Sequence, residues 1–165
     1  MTEHPNGERP VHPAGRLPAF LGRLLLASIV LYVAWTKVGI LYMYAVVWGA
    51  KPLVALAGHT IEIERALTVR EEISLNPVVY LSLVIAVTGI SWRDRIRPAV
   101  VGIVILTAAN ILTVFLLFLS TFLGSERLMT GTEFLNLTIN FFLPILLWFV
   151  LSPKGDTLPS FTSRA

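Results

Sequence analysis

The sequence predicts an all-α integral membrane protein, with four transmembrane helices and a small extracytoplasmic β-hairpin between the first and the second. Hydrophobic residues make up 55% of the 165 residues and charged residues only 14%, against about 25% charged residues in soluble domains. The apolar residues also gather in long runs. These runs indicate one membrane domain, 18–152, between two polar tails, 1–17 and 153–165, whose composition predicts disorder.

Four apolar runs are candidates for the membrane helices, because about 20 helical residues cross a hydrocarbon core of about 30 Å. They are Leu24–Trp48, Pro77–Ile90, Pro98–Leu123 and Phe134–Leu151. The second run is short, so it spans the core only if neighbouring helices or local thinning of the bilayer help. Pro77 suits the start of that helix, because an N–H group in the first turn has no partner within the helix and proline lacks this group.

The segment "HTIEIERALTVREEISL" separates the first and second runs. In "TIEIE" and "LTVRE" apolar and polar residues alternate, as they do along a strand. This alternation predicts the extracytoplasmic hairpin, at about 58–74.

The basic residues predict that both termini are cytoplasmic. The linker "SWRDRIRP" between the second and third runs carries three arginines, which favours the cytoplasmic side. With that linker inside, eight basic residues lie on the cytoplasmic side and four outside; the four are Lys51, Arg65, Arg70 and Arg127.

Lys37 is the one charged residue within the first run, near the middle of the bilayer if the helix is straight. Membrane-embedded charges are rare and often functional. The alternative is that the helix is shifted outward, so that Lys37 extends to the outer headgroups among Trp35, Tyr42 and Tyr44.

Asparagines occur in two of the apolar runs. Asn110 and Thr113 share a helical face in the third run, and Asn136 and Asn140 share one in the fourth. An amide without a partner costs several kcal/mol in hydrocarbon. We therefore expect Asn110 to bond across to Asn136 or Asn140, as interhelical glue or as the lining of a polar cleft.

Several classes of function lack support in the sequence. Zero cysteines exclude disulfides and thiolate chemistry, and three scattered histidines predict no metal site. Glu71 and Glu72 are adjacent, so on a strand they point to opposite faces and form no acid–base pair. We expect no cofactor, and no nucleic-acid partner because the basic residues flank membrane segments.

Three segments carry a family resemblance over residues 58–151. "TIEIERALTVREEISLNP" resembles a strand pair that enters a helix, "ANILTVFLL" resembles a helix with an Asn-x-x-Arg motif, and "TEFLNLTIN" resembles a segment with a histidine. Together with "SWRDRIR", they resemble the exosortase/archaeosortase family of bacterial and archaeal membrane transpeptidases. In that family a cysteine, the arginine and the histidine are catalytic.

The chain departs from this family at each catalytic position. No cysteine lies within Ile73–Pro77, Thr113 stands at the arginine position, and Asn136 stands at the histidine position. A threonine cannot support an oxyanion as a guanidinium does, and an asparagine cannot shuttle protons. The resemblance thus implies a frame without catalytic residues, whose candidate polar cleft comprises Asn76, Asn110, Thr113, Asn136 and Asn140.

The leading hypothesis is a non-catalytic, exosortase-like multi-pass protein of the cell membrane, here the bacterial inner membrane. It would act in protein sorting or envelope assembly, with a membrane-protein partner or a sorting-signal-like peptide beside the lipid bilayer. One alternative is a membrane peptidase or transpeptidase of altered mechanism with Ser74 as nucleophile, although a serine needs an adjacent base. The other is a small subunit of a membrane transport complex.

Overall fold

All regular structure is helical in the computed structural model, which describes residues 16–61 and 75–151. The four helices are α1 (Arg16–Leu56), α2 (Asn76–Ala86), α3 (Trp92–Leu123) and α4 (Glu126–Leu151). No strand occurs within the described ranges. The all-α prediction is therefore confirmed for this part of the chain.

Three helices, α1, α3 and α4, are long and apolar enough to cross a membrane. Only 11% to 28% of the residues in their most apolar windows are buried within the protein. Large side chains such as Leu25, Phe142 and Val150 are more than half exposed. An exposed apolar surface of this extent is compatible with a lipid bilayer.

The second predicted span forms the much shorter helix α2, so four membrane-spanning helices are not supported. Its 11 residues extend about 16 Å, roughly half of a hydrocarbon core. The helix ends where Val87 adopts an extended conformation, with φ −58° and ψ 133°. Seven residues of α2 are buried, including Tyr80 and Val84. Burial among other helices, rather than membrane crossing, accounts for its apolar composition.

Arg95 bonds backbone carbonyls at the end of α2 and in the segment that follows it. Its guanidinium donates to the carbonyl oxygens of Ile85 and Val87, both at 2.6 Å, and of Ile90 at 3.2 Å. Terminal helix carbonyls have no partner within the helix, and charge-assisted hydrogen bonds are the stronger kind. Arg95 therefore joins the start of α3 to the end of α2.

The predicted hairpin at 58–74 lies mostly outside the described residues. Its first part, 58–61, is described and is not a strand. There α1 ends at Leu56 and the chain turns at Gly58, which has a φ of 82°. His59 then stacks on Phe122 of α3 with ring centroids 4.1 Å apart. Of the predicted tails, 1–15 and 153–165 also lie outside, while Arg16 and Leu17 belong to α1.

Two apolar clusters hold the helices together. One joins the second half of α1 to α3 through Met43, Val47 and Val114. The other joins α2, α3 and α4 through Tyr80, Leu106 and Leu147. The short helix α2 contacts all three of the other helices, as α3 also does, so it is part of the core of the bundle.

Tyr80 crosses α3 at a glycine. Its hydroxyl donates to the carbonyl oxygen of Pro98 at 2.6 Å, and its ring lies against Gly102, one turn further along α3. A Cβ at Gly102 would overlap the Tyr80 ring. Small residues allow such close approach between membrane helices, so Gly102 sets the distance between α2 and α3.

Candidate functional site

A polar cluster lies at the level where α1, α2 and α3 meet. Asn110 of α3 and Asn76 of α2 exchange two hydrogen bonds, with Nδ2 to Oδ1 distances of 2.9 Å and 3.1 Å. Asn110 Nδ2 also donates to the Tyr42 hydroxyl of α1 at 2.8 Å. We call Asn76, Asn110 and Tyr42 the amide cluster.

The helices place this cluster between the two apolar clusters. Along α3, Leu106 of one apolar cluster precedes Asn110 by one turn, and Val114 of the other follows it by one turn. Asn76 and Asn110 are both fully buried. A buried amide is stabilising only when its donors and acceptors are bonded, and here the two amides bond each other.

The partners of Asn110 differ from the predicted ones. An amide nitrogen carries two N–H groups, and those of Asn110 go to Tyr42 and Asn76. Asn136 instead accepts a hydrogen bond of 2.9 Å from Asn140 Nδ2, one turn away in α4. The structure thus links Asn110 to α1 and α2, while Asn136 is bonded within its own helix.

Thr113 is buried beside the cluster, and its hydroxyl donates to the Ala109 carbonyl oxygen of the same helix at 3.0 Å. The five residues of the predicted polar cleft therefore fall into separate arrangements. Asn76 and Asn110 form an interhelical pair, Thr113 bonds the Ala109 carbonyl of its own helix, and Asn136 and Asn140 form an intrahelical pair. Asn136 and Asn140 are half-buried.

These groups can donate and accept hydrogen bonds, but none exchanges a proton at neutral pH as a catalytic acid or base does. Ser74, the nucleophile of the alternative hypothesis, lies outside the described residues. Asn76, two residues further along the chain, has its amide engaged by Asn110.

Lys37 is exposed on α1. Along the sequence of α1, it lies between two residues that contact other helices. Before it, the Phe20 ring lies 6.1 Å from the Trp148 ring of α4; after it, Tyr42 bonds Asn110. Tyr42 is therefore turned towards the bundle. Within the described ranges, no ion pair or hydrogen bond joins the Lys37 side chain to another residue.

Two residues of this region were not identified as site residues from the sequence. Tyr42 was interpreted only as an interfacial aromatic, and Arg95 only as a cytoplasmic charge. A tyrosine six residues before the end of an apolar run, with its hydroxyl in need of a partner, was the available signal for the first. The signal for the second was the spacing of the three arginines, because on a helix Arg93 and Arg97 share a face and Arg95 lies on another.

The chain was also compared with known proteins. No protein-family model, no curated protein and no solved structure matches it.

Proposed function

We propose that this chain is a non-catalytic membrane protein that binds a membrane-embedded partner through the Lys37 face of α1. In keeping with its exosortase-like segments, the proposal places it as an accessory component of protein sorting or envelope assembly. Both termini would lie in the cytoplasm of a bacterial cell, with the segment between α1 and α2 outside the inner membrane. The strand pattern in that segment and the excess of cytoplasmic arginines support this orientation.

The residues at the cysteine, arginine and histidine positions of the exosortase-like segments support the proposal that the chain is not catalytic. The sequence has no cysteine. The Thr113 hydroxyl donates its hydrogen bond to a carbonyl oxygen of its own helix, and the Asn136 side chain is neutral and accepts a hydrogen bond. A transport role has weaker support, because Asn76 and Asn110 are fully buried and bond each other, which is the arrangement of interhelical glue rather than of a solute path.

The observation that carries the partner proposal is Lys37. It lies near the middle of the 41-residue helix α1, and exposed apolar side chains, Val33, Val38 and Leu41, surround it. A lysine at the centre of a membrane helix costs about 2.5–3.5 kcal/mol on insertion scales. Lys51 differs, because it lies near the end of α1 with its ammonium 5.1 Å from the centroid of the Trp48 ring.

A carboxylate in a neighbouring membrane helix is the partner group that best offsets this cost. It neutralises the ammonium and accepts its hydrogen bonds, and their attraction is strong where water is scarce. The surrounding valine and leucine side chains supply an apolar surface for the rest of such a helix. The proposed partner is therefore a transmembrane helix with an aspartate or glutamate within its span.

Photo-crosslinking in native membranes tests this proposal. A photoreactive residue at Val33, one turn before Lys37 on the same face, should give an adduct with a second chain. The adduct should be lost in Lys37→Leu, which removes the charge, and should persist in Lys37→Arg and in the control Lys51→Leu. A photoreactive residue at Phe142, on the exposed face of α4, should be insensitive to Lys37→Leu.

The outcomes separate the competing explanations. An adduct of twice the mass of this chain would identify the partner as a second copy. No adduct from position 33, or an adduct equally strong in Lys37→Leu, would contradict the proposal and favour a lysine that extends to the headgroups.

A further inference from the structure

A cavity of about 600 Å³ lies where the first turns of α3 meet the last turn of α4. One part of its wall is charged and consists of Arg93, Asp94 and Arg97. Another part is apolar and includes Val101, Val150 and Leu151. The cavity therefore lies where the arginine-rich start of α3 gives way to its apolar span.

The two arginines of the wall have free guanidinium groups. Arg93 and Arg97 are four residues apart, so they share a face of α3, and both are exposed. No ion pair or hydrogen bond joins either side chain to another residue in the described part of the chain. Arg95, by contrast, donates to the carbonyl oxygen of Ile85 in α2 and to those of Val87 and Ile90, which follow α2.

Asp94 reduces the positive charge of the cavity without cancelling it. Its Oδ2 accepts a hydrogen bond from the Ser91 hydroxyl at 2.7 Å, at the N-cap of α3. Two guanidinium groups and one carboxylate leave a net charge of about +1 at neutral pH. The cavity thus favours an anion over a zwitterion.

We propose that this cavity binds the headgroup of an anionic phospholipid. Guanidinium groups match phosphate oxygens in charge and in geometry, and basic pockets between membrane helices are known to hold such headgroups. The apolar part of the wall continues onto the lipid-facing surface, where Val150 is 72% exposed. An acyl chain attached to the phosphate would lie along that surface, which a free phosphate ion cannot use.

Native mass spectrometry of the purified, delipidated protein tests this inference. It would be given equal amounts of phosphatidylglycerol and phosphatidylcholine with identical acyl chains. The wild-type chain should retain phosphatidylglycerol in preference. Because each basic residue near a membrane surface contributes about a fivefold gain in affinity for anionic lipid, Arg93→Gln with Arg97→Gln should reduce this retention about tenfold or more.

Matched controls make the test specific. Arg127→Gln removes an arginine from the other end of the bundle, at the start of α4, and should leave lipid retention unchanged. Thermal unfolding of each variant would verify that the fold is intact, as expected for exposed positions. Inorganic phosphate at millimolar concentration should fail to displace phosphatidylglycerol.

Three results would overturn the proposal. Equal retention of the two lipids by the wild-type chain would show that the charge of the cavity does not select. Unchanged retention in the folded double variant would place the lipid elsewhere. Complete displacement by inorganic phosphate would show an anion site that makes no use of the acyl chains.

Discussion

Gly102→Ala is expected to destabilise the protein by about 1–3 kcal/mol, the usual range for overpacking a close-packed interior. The added methyl group would overlap the Tyr80 ring, and that ring has little freedom to move. Tyr80 is fully buried, and its hydroxyl is held by the Pro98 carbonyl oxygen. We therefore expect α2 to be displaced from α3, with loss of the apolar cluster that Tyr80 forms with Leu106 and Leu147.

The matched control is Gly131→Ala in α4, where no atom lies within 4 Å of an added Cβ. Since alanine favours helix over glycine by up to about 1 kcal/mol, this variant should be neutral or slightly more stable. Unfolding in mixed detergent micelles would be followed by circular dichroism. Equal stabilities of the Gly102→Ala and Gly131→Ala variants would show that α2 does not pack on α3 at Gly102.

Asn76 and Asn110 should prove energetically coupled in a double-mutant cycle. Asn110→Leu or Asn76→Leu alone leaves a buried amide without its partner, at a cost of about 1–3 kcal/mol. Asn76→Leu with Asn110→Leu removes both amides together, so its effect should be smaller than the sum of the single effects. Because two hydrogen bonds join the amides, we expect a coupling of about 1 kcal/mol, in the upper range for membrane helices.

Asn136 provides the control for this cycle. Its described hydrogen bond comes from Asn140 in its own helix, so Asn110→Leu and Asn136→Leu should act additively. The measurement is the same unfolding experiment in mixed micelles. Coupling between Asn110 and Asn136, together with additivity between Asn110 and Asn76, would contradict the geometry described above and restore the pairing expected from the sequence.

The membrane class of the fold could be predicted from the sequence because it depends on composition and run length alone. The C-terminal ends of α3 and α4 were predicted correctly from the apolar runs, at Leu123 and Leu151. Both helices begin earlier than predicted, at Trp92 and Glu126, because polar and charged residues continue each helix beyond its apolar run. The length of α2 could not be predicted in this way. Residues 77–90 are apolar whether they face lipid or other helices, and hydropathy does not distinguish these environments. The helix ends at Ala86 because of the extended conformation at Val87.

The need for a partner to Asn110 was also predictable, since an isolated amide in an apolar helix is costly. The identity of that partner was not. Asn136 and Asn140 were the expected partners because their helix, α4, follows α3 in the sequence. The actual partner, Asn76, belongs to the short helix α2, which begins beside Asn110. The bond from Asn110 to Tyr42, 68 residues away in the sequence, also depends on tertiary packing that no local sequence pattern encodes.

The structure gives Lys37 a clearer setting than the sequence did. The bond from Asn110 to Tyr42 fixes α1 against the buried amide cluster, five residues beyond Lys37. The Lys37 side chain remains on the exposed face of α1, and this is the basis of the partner proposal.

The most direct test of that proposal is zero-length crosslinking with a hydrophobic carbodiimide in native membranes. This reagent activates a carboxylate in the apolar phase, and an adjacent amine then forms an amide bond with loss of the urea by-product. We expect mass spectrometry to find the Lys37 side chain joined to an aspartate or glutamate within a membrane span of another chain. Modification of Lys37 by a water-soluble, membrane-impermeant amine reagent, with no crosslink to a carboxylate, would contradict the account.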